Sequence, residues 1–203
     1  GEFSLKKTRP RLRVGYDVLK NYTYFGIQND RTKSGDNYLV QHNALNVRQS
    51  GSPVSLLTLQ LQQDLRLGIL NWQNVLTLQK SSKDDILPVP LFNAYSNLFI
   101  RFRIARVLDV DLGVDGRYFT DYYAPEYIPG IGAFGIQETE ASRTKIGNYP
   151  VLDAYANFQL QHTRFFVMFS HVNSSDGGDY FFTPHYPLNQ RIFRFGISWN
   201  FFN

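Results

Sequence analysis

The strongest constraint on this chain is a side-chain period of two that recurs over long stretches. Phe193, Phe195, Ile197, Trp199 and Phe201 alternate with Arg194, Gly196, Ser198 and Asn200. In an extended chain successive side chains point to opposite faces, so the two sets separate into an apolar and a polar face. Residues 54–67 set Leu57, Leu59, Leu61, Leu65 and Leu67 against Thr58, Gln60, Gln62, Asp64 and Arg66. In residues 107–122, Leu108, Val110, Leu112, Val114 and Tyr118 alternate with Asp109, Asp111, Asp115 and Arg117. Leu152, Ala154, Ala156, Phe158 and Leu160 oppose Asp153, Asn157, Gln159 and Gln161, and Leu98, Ile100, Phe102 and Ile104 oppose Asn97, Arg101 and Arg103. No segment keeps a 3.6-residue apolar period for three turns, so the fold class is all-β.

Eight strands are expected, at 11–27, 54–67, 70–81, 91–104, 107–122, 151–162, 164–174 and 190–202. The nine prolines fall between them, where no ladder donor is lost. Long connections at 28–53, 82–90, 123–150 and 175–189 then alternate with tight turns near 68–69, 105–106 and 163. An up-and-down antiparallel sheet with its long loops at one end is the pattern of a transmembrane β-barrel. Residues 38–48 could form a strand of their own, which would break the alternation; they are read as part of a structured outside loop.

Period two does not say which face is inside, because a soluble ligand-binding barrel also alternates, with its apolar face inward. Three features favour a membrane. Several expected strands run 12 residues or more, beyond the ~9–11 that a tilted strand needs to cross hydrocarbon. The polar face carries Asp64, Arg66, Arg101, Arg103, Asp109, Asp111, Asp115, Arg117, Asp153 and Arg194, which is too charged for a closed apolar ligand cavity. Aromatics (Tyr22, Tyr24, Tyr118, Tyr122, Tyr123, Tyr155, Trp199, Phe201, Phe202) gather near expected strand ends, as headgroup girdles require.

Composition closes other routes. The absence of cysteine excludes a disulfide scaffold, thiolate catalysis and cysteine-held metal. Phe165 to Phe169 is the longest apolar run, too short for a transmembrane helix. A net charge of +4 does not point to nucleic acid, and the basic residues cluster only at Lys6, Lys7, Arg9, Arg11 and Arg13. That cluster reads either as a contact for anionic headgroups or as a solvated terminus, so residues 1–10 are treated as a basic segment or a junction, and 11–203 as the barrel domain.

Residues Tyr118-Phe119-Thr120-Asp121-Tyr122-Tyr123-Ala124-Pro125-Glu126-Tyr127 and Gly147-Asn148-Tyr149-Pro150 resemble the Putative porin family of Bacteroidota outer membranes. So do His171-Val172-Asn173, Pro184-His185-Tyr186-Pro187 and the ending Phe195-Gly196-Ile197-Ser198-Trp199-Asn200-Phe201-Phe202, with Tyr22-Thr23-Tyr24-Phe25 and Ile86-Leu87-Pro88 upstream. The resemblance implies a Gram-negative outer-membrane barrel without a catalytic site, of which this chain is expected to be the C-terminal part. It implies outer-membrane lipid, lipopolysaccharide and the barrel assembly machinery as partners, the machinery reading Trp199, Phe201 and Phe202.

The ten charged residues of the polar face are the expected pore lining. Asp109, Asp111 and Asp115 facing Arg101 and Arg103 would set a transverse field that tunes selectivity; alternatively, the same charges pair and plug a narrow barrel. The loop Asp176-Gly177-Gly178-Asp179 offers two carboxylates, too few for the six to eight oxygens calcium wants. His42, His162, His171 and His185 lack metal-site spacing, and His171 near Ser174, Ser175 and Asp176 lacks a positioned oxyanion hole. No cofactor, metal or catalytic residue is expected. The expected function is passive passage of small polar solutes. Two alternatives stay open, a non-conducting anchor or scaffold for a lipoprotein or barrel partner subunit, and a soluble binding barrel. Phe119, an aromatic on the wet face, fits none of these roles.

Overall fold

The computed structural model describes residues 2–4, 10–34, 37–175 and 180–200, with side chains described for 10–28, 44–175 and 180–200. Fifteen strands follow in chain order: β1 (Glu2–Ser4), β2 (Arg11–Leu19), β3 (Thr23–Ser34), β4 (Asn37–Gln49), β5 (Val54–Leu67), β6 (Leu70–Ser81), β7 (Phe92–Ile104) and β8 (Leu108–Phe119). Then come β9 (Glu126–Ile128), β10 (Ala133–Gln137), a 3-10 turn (Glu140–Ser142), β11 (Val151–Leu160), β12 (Thr163–Ser170), β13 (Phe181–Thr183), β14 (Tyr186–Pro187) and β15 (Ile192–Trp199). One antiparallel sheet dominates, in the order β1-β2-β5-β6-β7-β8-β11-β12-β15.

Three of its hairpins are tight, and backbone geometry explains where they turn. Leu67 pairs with Leu70 around Gly68, whose φ of +60° suits the missing side chain. Ala105 and Arg106 close β7 to β8 at φ +48° and +63°, and Gln161 closes β11 to β12 at φ +49°. The last turn therefore lies at 161–162, just before the expected position 163.

The expected strand 11–27 is two strands. Asn21 takes φ +54°, and the chain leaves the main sheet there. Residues 38–48, expected within a loop, fall in strand β4, which pairs along its length with β3. The alternation survives because this hairpin is inserted between β2 and β5, which remain direct neighbours. The hairpin joins a second sheet, β4-β3-β10-β9, through a parallel step of Ile136 on Gly26 and Gln137 on Ile27. A strand pattern reveals pairing without naming the partner, which is why the two connections looked like separate loops. The C-terminal strands are shorter than expected, with 8 residues each in β12 and β15. Among the prolines, Pro187 stands inside β14.

The main sheet is open. Among the described residues β1 pairs only with β2 and β15 only with β12. The closed barrel expected from the sequence is not formed by these strands, because the two end strands share no ladder.

Apolar side chains are outside rather than in a core. Among the described residues the buried apolar side chains are few: Ile27, Val54, Phe99, Val110, Ala124, Ile146 and Pro184. Leu57, Leu59, Leu98, Leu112, Val114, Phe193, Phe195 and Ile197 are exposed, Phe195 by 74%. A contiguous apolar face of this extent is not left to water.

Candidate functional site: the charged face of the sheet

The register carries the polar face from strand to strand. Residues opposite each other in antiparallel strands share a face. Arg66 meets Asn71 and Asp64 meets Gln73, these meet Phe99 and Asn97, and Asn97 meets Asp115. Arg103, Arg101 and Tyr95 meet Asp109, Asp111 and Arg117. Asp115 meets Asp153, and Tyr155 meets Met168, which meets Arg194. All ten charged residues singled out in the sequence therefore share one face. That face is less uniformly polar than expected, for Val75, Phe99, Tyr155, Phe166 and Met168 lie on it too.

The acidic and basic rows do not oppose each other across a gap. They lie on adjacent strands and bond laterally. Arg101 donates Nε–H and Nη2–H to the two Asp111 oxygens, both at 2.7 Å. Arg103 forks Asp109 in the same way, its Nη2 at 2.8 Å from Oδ2. A fork-on-fork pair fixes both side chains and cancels their charges locally. The expected transverse field between these two rows is corrected accordingly. Arg164 adds a bond from Nη2 to Asn157 Oδ1 at 3.2 Å, on the same patch.

A second row, not recognised in the sequence, crosses five strands: Asp64, Gln73, Asn97, Asp115 and Asp153. Asp115 is only 8% exposed and stands directly opposite Asp153, a like-charge pair that costs free energy unless something compensates. Asp153 Oδ1 accepts the backbone N–H of His171 at 2.7 Å. Tyr155 donates its hydroxyl to Asn97 Oδ1 at 2.8 Å, and Asn97 Nδ2 donates to Gln73 Oε1 at 3.3 Å. Tyr155 was expected in a headgroup girdle; instead its ring crosses β8 on the charged face.

Gly113 makes that crossing possible. A Cβ there would stand 2.7 Å from Phe99 Cβ and 2.7 Å from the Tyr155 Cζ and hydroxyl. Gly196 does the same for Phe166, whose Cε1 would be 2.5 Å from such a Cβ. Gly113→Val is expected to displace Tyr155 and break its bond to Asn97, costing about 1–3 kcal/mol by overpacking. Tyr155→Phe, which keeps the ring, is expected to cost only about 1 kcal/mol. Urea unfolding of both variants checks the order.

A polar row interrupts the apolar face between the strand ends. Gln63, Asn74, Ser96 and Gly116 line up across β5 to β8. Trp72 Nε1 donates to Ser96 Oγ at 2.9 Å, and Ser96 Oγ donates to Asn74 Oδ1 at 2.8 Å. Gln63 breaking the leucine series at 57–67 is the sequence signal that could have disclosed it.

The long connections crowd one end of the sheet and are bonded to each other. Arg48 Nε and Nη2 bind Glu138 at 2.7 and 2.9 Å, tying the β3–β4 hairpin to the segment after β10. Lys83 Nζ donates to Ser50 Oγ at 3.0 Å. Lys145 Nζ and Asn148 Nδ2 each reach Asp121 at 2.9 Å. The Lys145 ammonium holds the Asp121 carboxyl below its ordinary range, first through that hydrogen bond and then by charge. A carboxylate with a lowered folded pKa stabilises above its unfolded pKa, and the gain is lost as pH falls through the folded value. Amide protection of residues 143–149 is therefore expected to persist through the ordinary carboxylate range and fall below it. In Lys145→Gln the loss moves upward into that range. Hydrogen exchange against pH reads both.

His171 belongs to this end and is 5% exposed. Its Nε2 lies 2.9 Å from the Tyr149 hydroxyl and its Nδ1 2.9 Å from Asn189 O, while Tyr149 and Tyr180 stack at 3.5 Å. Ser174 Oγ accepts the N–H of Arg191, and the two His171 ring nitrogens face Tyr149 and Asn189 rather than a serine. Among the described residues no cluster of metal-binding side chains appears. The Asp176–Asp179 loop, Phe201, Phe202, the His42 side chain and Lys6, Lys7 and Arg9 lie outside the described residues.

A two-faced antiparallel sheet with charges on one side and exposed apolar side chains on the other defines a porin-like β protein. The Putative porin family model matches residues 1–203, and the chain belongs to that family. No curated protein and no solved structure matches it.

Proposed function

We propose that the protein is part of a porin-like channel for passive diffusion of small polar solutes across a Gram-negative outer membrane, of the Bacteroidota type. The single observation that carries this reading is the separation of the two faces, kept in register across eight long strands. In the membrane the apolar face meets phospholipid and lipopolysaccharide chains, and the charged face borders water. A bilayer interior leaves no strand edge unpaired, so the open edges of the main sheet, at β1–β2 and at β15, are completed there by one another or by further strands. Sieving follows from the width of the path and from the charges along it, with the bonded long connections narrowing one mouth. Trp199, with Phe201 and Phe202 beyond it, serves as the last-strand signal for the assembly machinery.

A specific observation favours a second reading. The forked pairs Arg101–Asp111 and Arg103–Asp109 are what a plugged interior would use, and the barrel would then anchor a lipoprotein or partner subunit without conducting. A soluble binding barrel would need its apolar face inward. Planar-bilayer recording tests the proposal. Stepwise, salt-dependent conductance supports the channel; folded, inserted protein that carries no current selects the anchor.

A further inference from the structure

Phe119, the aromatic on the wet face that the sequence left without a role, is opposite Asn93, and the next wet-face pair is Tyr95 and Arg117. These four make a tile at the end of the sheet where the long connections gather. Two residues from the long connections, Tyr122 and Phe182 of β13, pack against Phe119. Tyr122 meets Phe119 edge to face with centroids 6.0 Å apart, and Phe182 tilts against it at 5.9 Å. The open pocket beside it, of about 520 Å³, is lined by Asn93, Tyr95, Arg117, Phe119, Tyr122 and Phe182. That size and this mixture of aromatic walls with few polar groups suit a small organic ligand.

The polar groups define its chemistry. Arg117 is exposed, and its guanidinium lies 5.9 Å from the Tyr95 ring centroid. It makes no hydrogen bond or ion pair with the described side chains, unlike Arg101 and Arg103, whose forks are filled. An open planar fork beside aromatic surface is matched by a carboxylate carried on a ring. Asp115 and Asp153 share this face one row further in. They would repel a second negative charge, so a monoanion is favoured.

The geometry points to a binding site for ring-bearing monocarboxylates at the mouth of the charged face, with Arg117 holding the carboxylate and Phe119, Tyr122 and Phe182 holding the ring. It deepens the channel proposal by naming a solute class, and it rests on that proposal only for how the solute arrives.

Titration calorimetry on the whole chain folded in detergent, with empty micelles subtracted, tests the site without requiring conductance. The probes are benzoate, acetate (no ring) and benzyl alcohol (no charge). Saturable benzoate binding is expected, at least tenfold tighter than either control. Arg117→Gln, an exposed position that leaves the strand intact, is expected to weaken benzoate at least tenfold, and Phe119→Ala several-fold. Benzoate binding unchanged by Arg117→Gln, or acetate equal to benzoate, would overturn the site. Binding without current keeps the site and removes the channel; current without binding does the reverse.

Discussion

Leu98→Arg is expected to lower the stability of the membrane-inserted protein by about 2–4 kcal/mol, the cost of a cation on a lipid-facing strand near mid-depth. Leu98 is 47% exposed on the apolar face, level with Trp72, Leu65 and Val114. Gln73→Arg, at the position next to Trp72 but on the charged face, is expected to cost less than about 1 kcal/mol, because its head reaches water. The contrast between adjacent positions is the point. Neither side chain is buried by protein, so a fold exposed to water on both faces would tolerate the two changes alike. Urea unfolding in lipid vesicles, followed by intrinsic fluorescence, measures both.

The second large effect concerns charge. The forked pairs contribute little net field, whereas Asp64, Asp115 and Asp153 form a transverse acidic row with no salt-bridged cation among the described residues. Replacing Asp115 and Asp153 together with Asn is expected to reduce the cation-to-anion permeability ratio about two- to threefold, read from the reversal potential in a salt gradient. Removing Arg101 and Asp111 as a pair is expected to leave the ratio unchanged. Asp111→Asn alone frees the Arg101 guanidinium and moves the ratio toward anions. If the paired removal shifted selectivity as strongly as the Asp115 and Asp153 change, the forks would not be neutralised in the conducting state.

Much of this architecture is written in local pattern. The alternation at 54–67 and 70–81 places β5 and β6 to the residue, since each strand is long, two-faced and bounded by Pro53 or the Gly68 turn. The lateral pairing of Arg101 with Asp111 and Arg103 with Asp109 was also legible, because both pairs are symmetric about Arg106 in a tight hairpin. What lay beyond the sequence required knowing which strands are neighbours. The row from Asp64 to Asp153 spans five strands, and no spacing along the chain encodes it. The parallel step between β3 and β10 joins residues about a hundred positions apart, so two loops could not be recognised as one sheet. Tyr155 was misplaced because a tyrosine within a strand looks alike in a girdle and over a glycine; only the contact with Gly113 separates the two. Phe119 needed Phe182, from a different loop, before it had a partner.

The central claim is that one face of the sheet borders water and the other borders lipid. Because the chain has no cysteine, single-cysteine variants need no background removed. Placing one at each position of β8 from 108 to 119 in lipid vesicles, and labelling with a membrane-impermeant thiol reagent, reads the faces directly. The account predicts fast labelling at 109, 111 and 117 and slow labelling at 108, 110, 112 and 114. Even labelling along the strand, or the opposite phase, would contradict it.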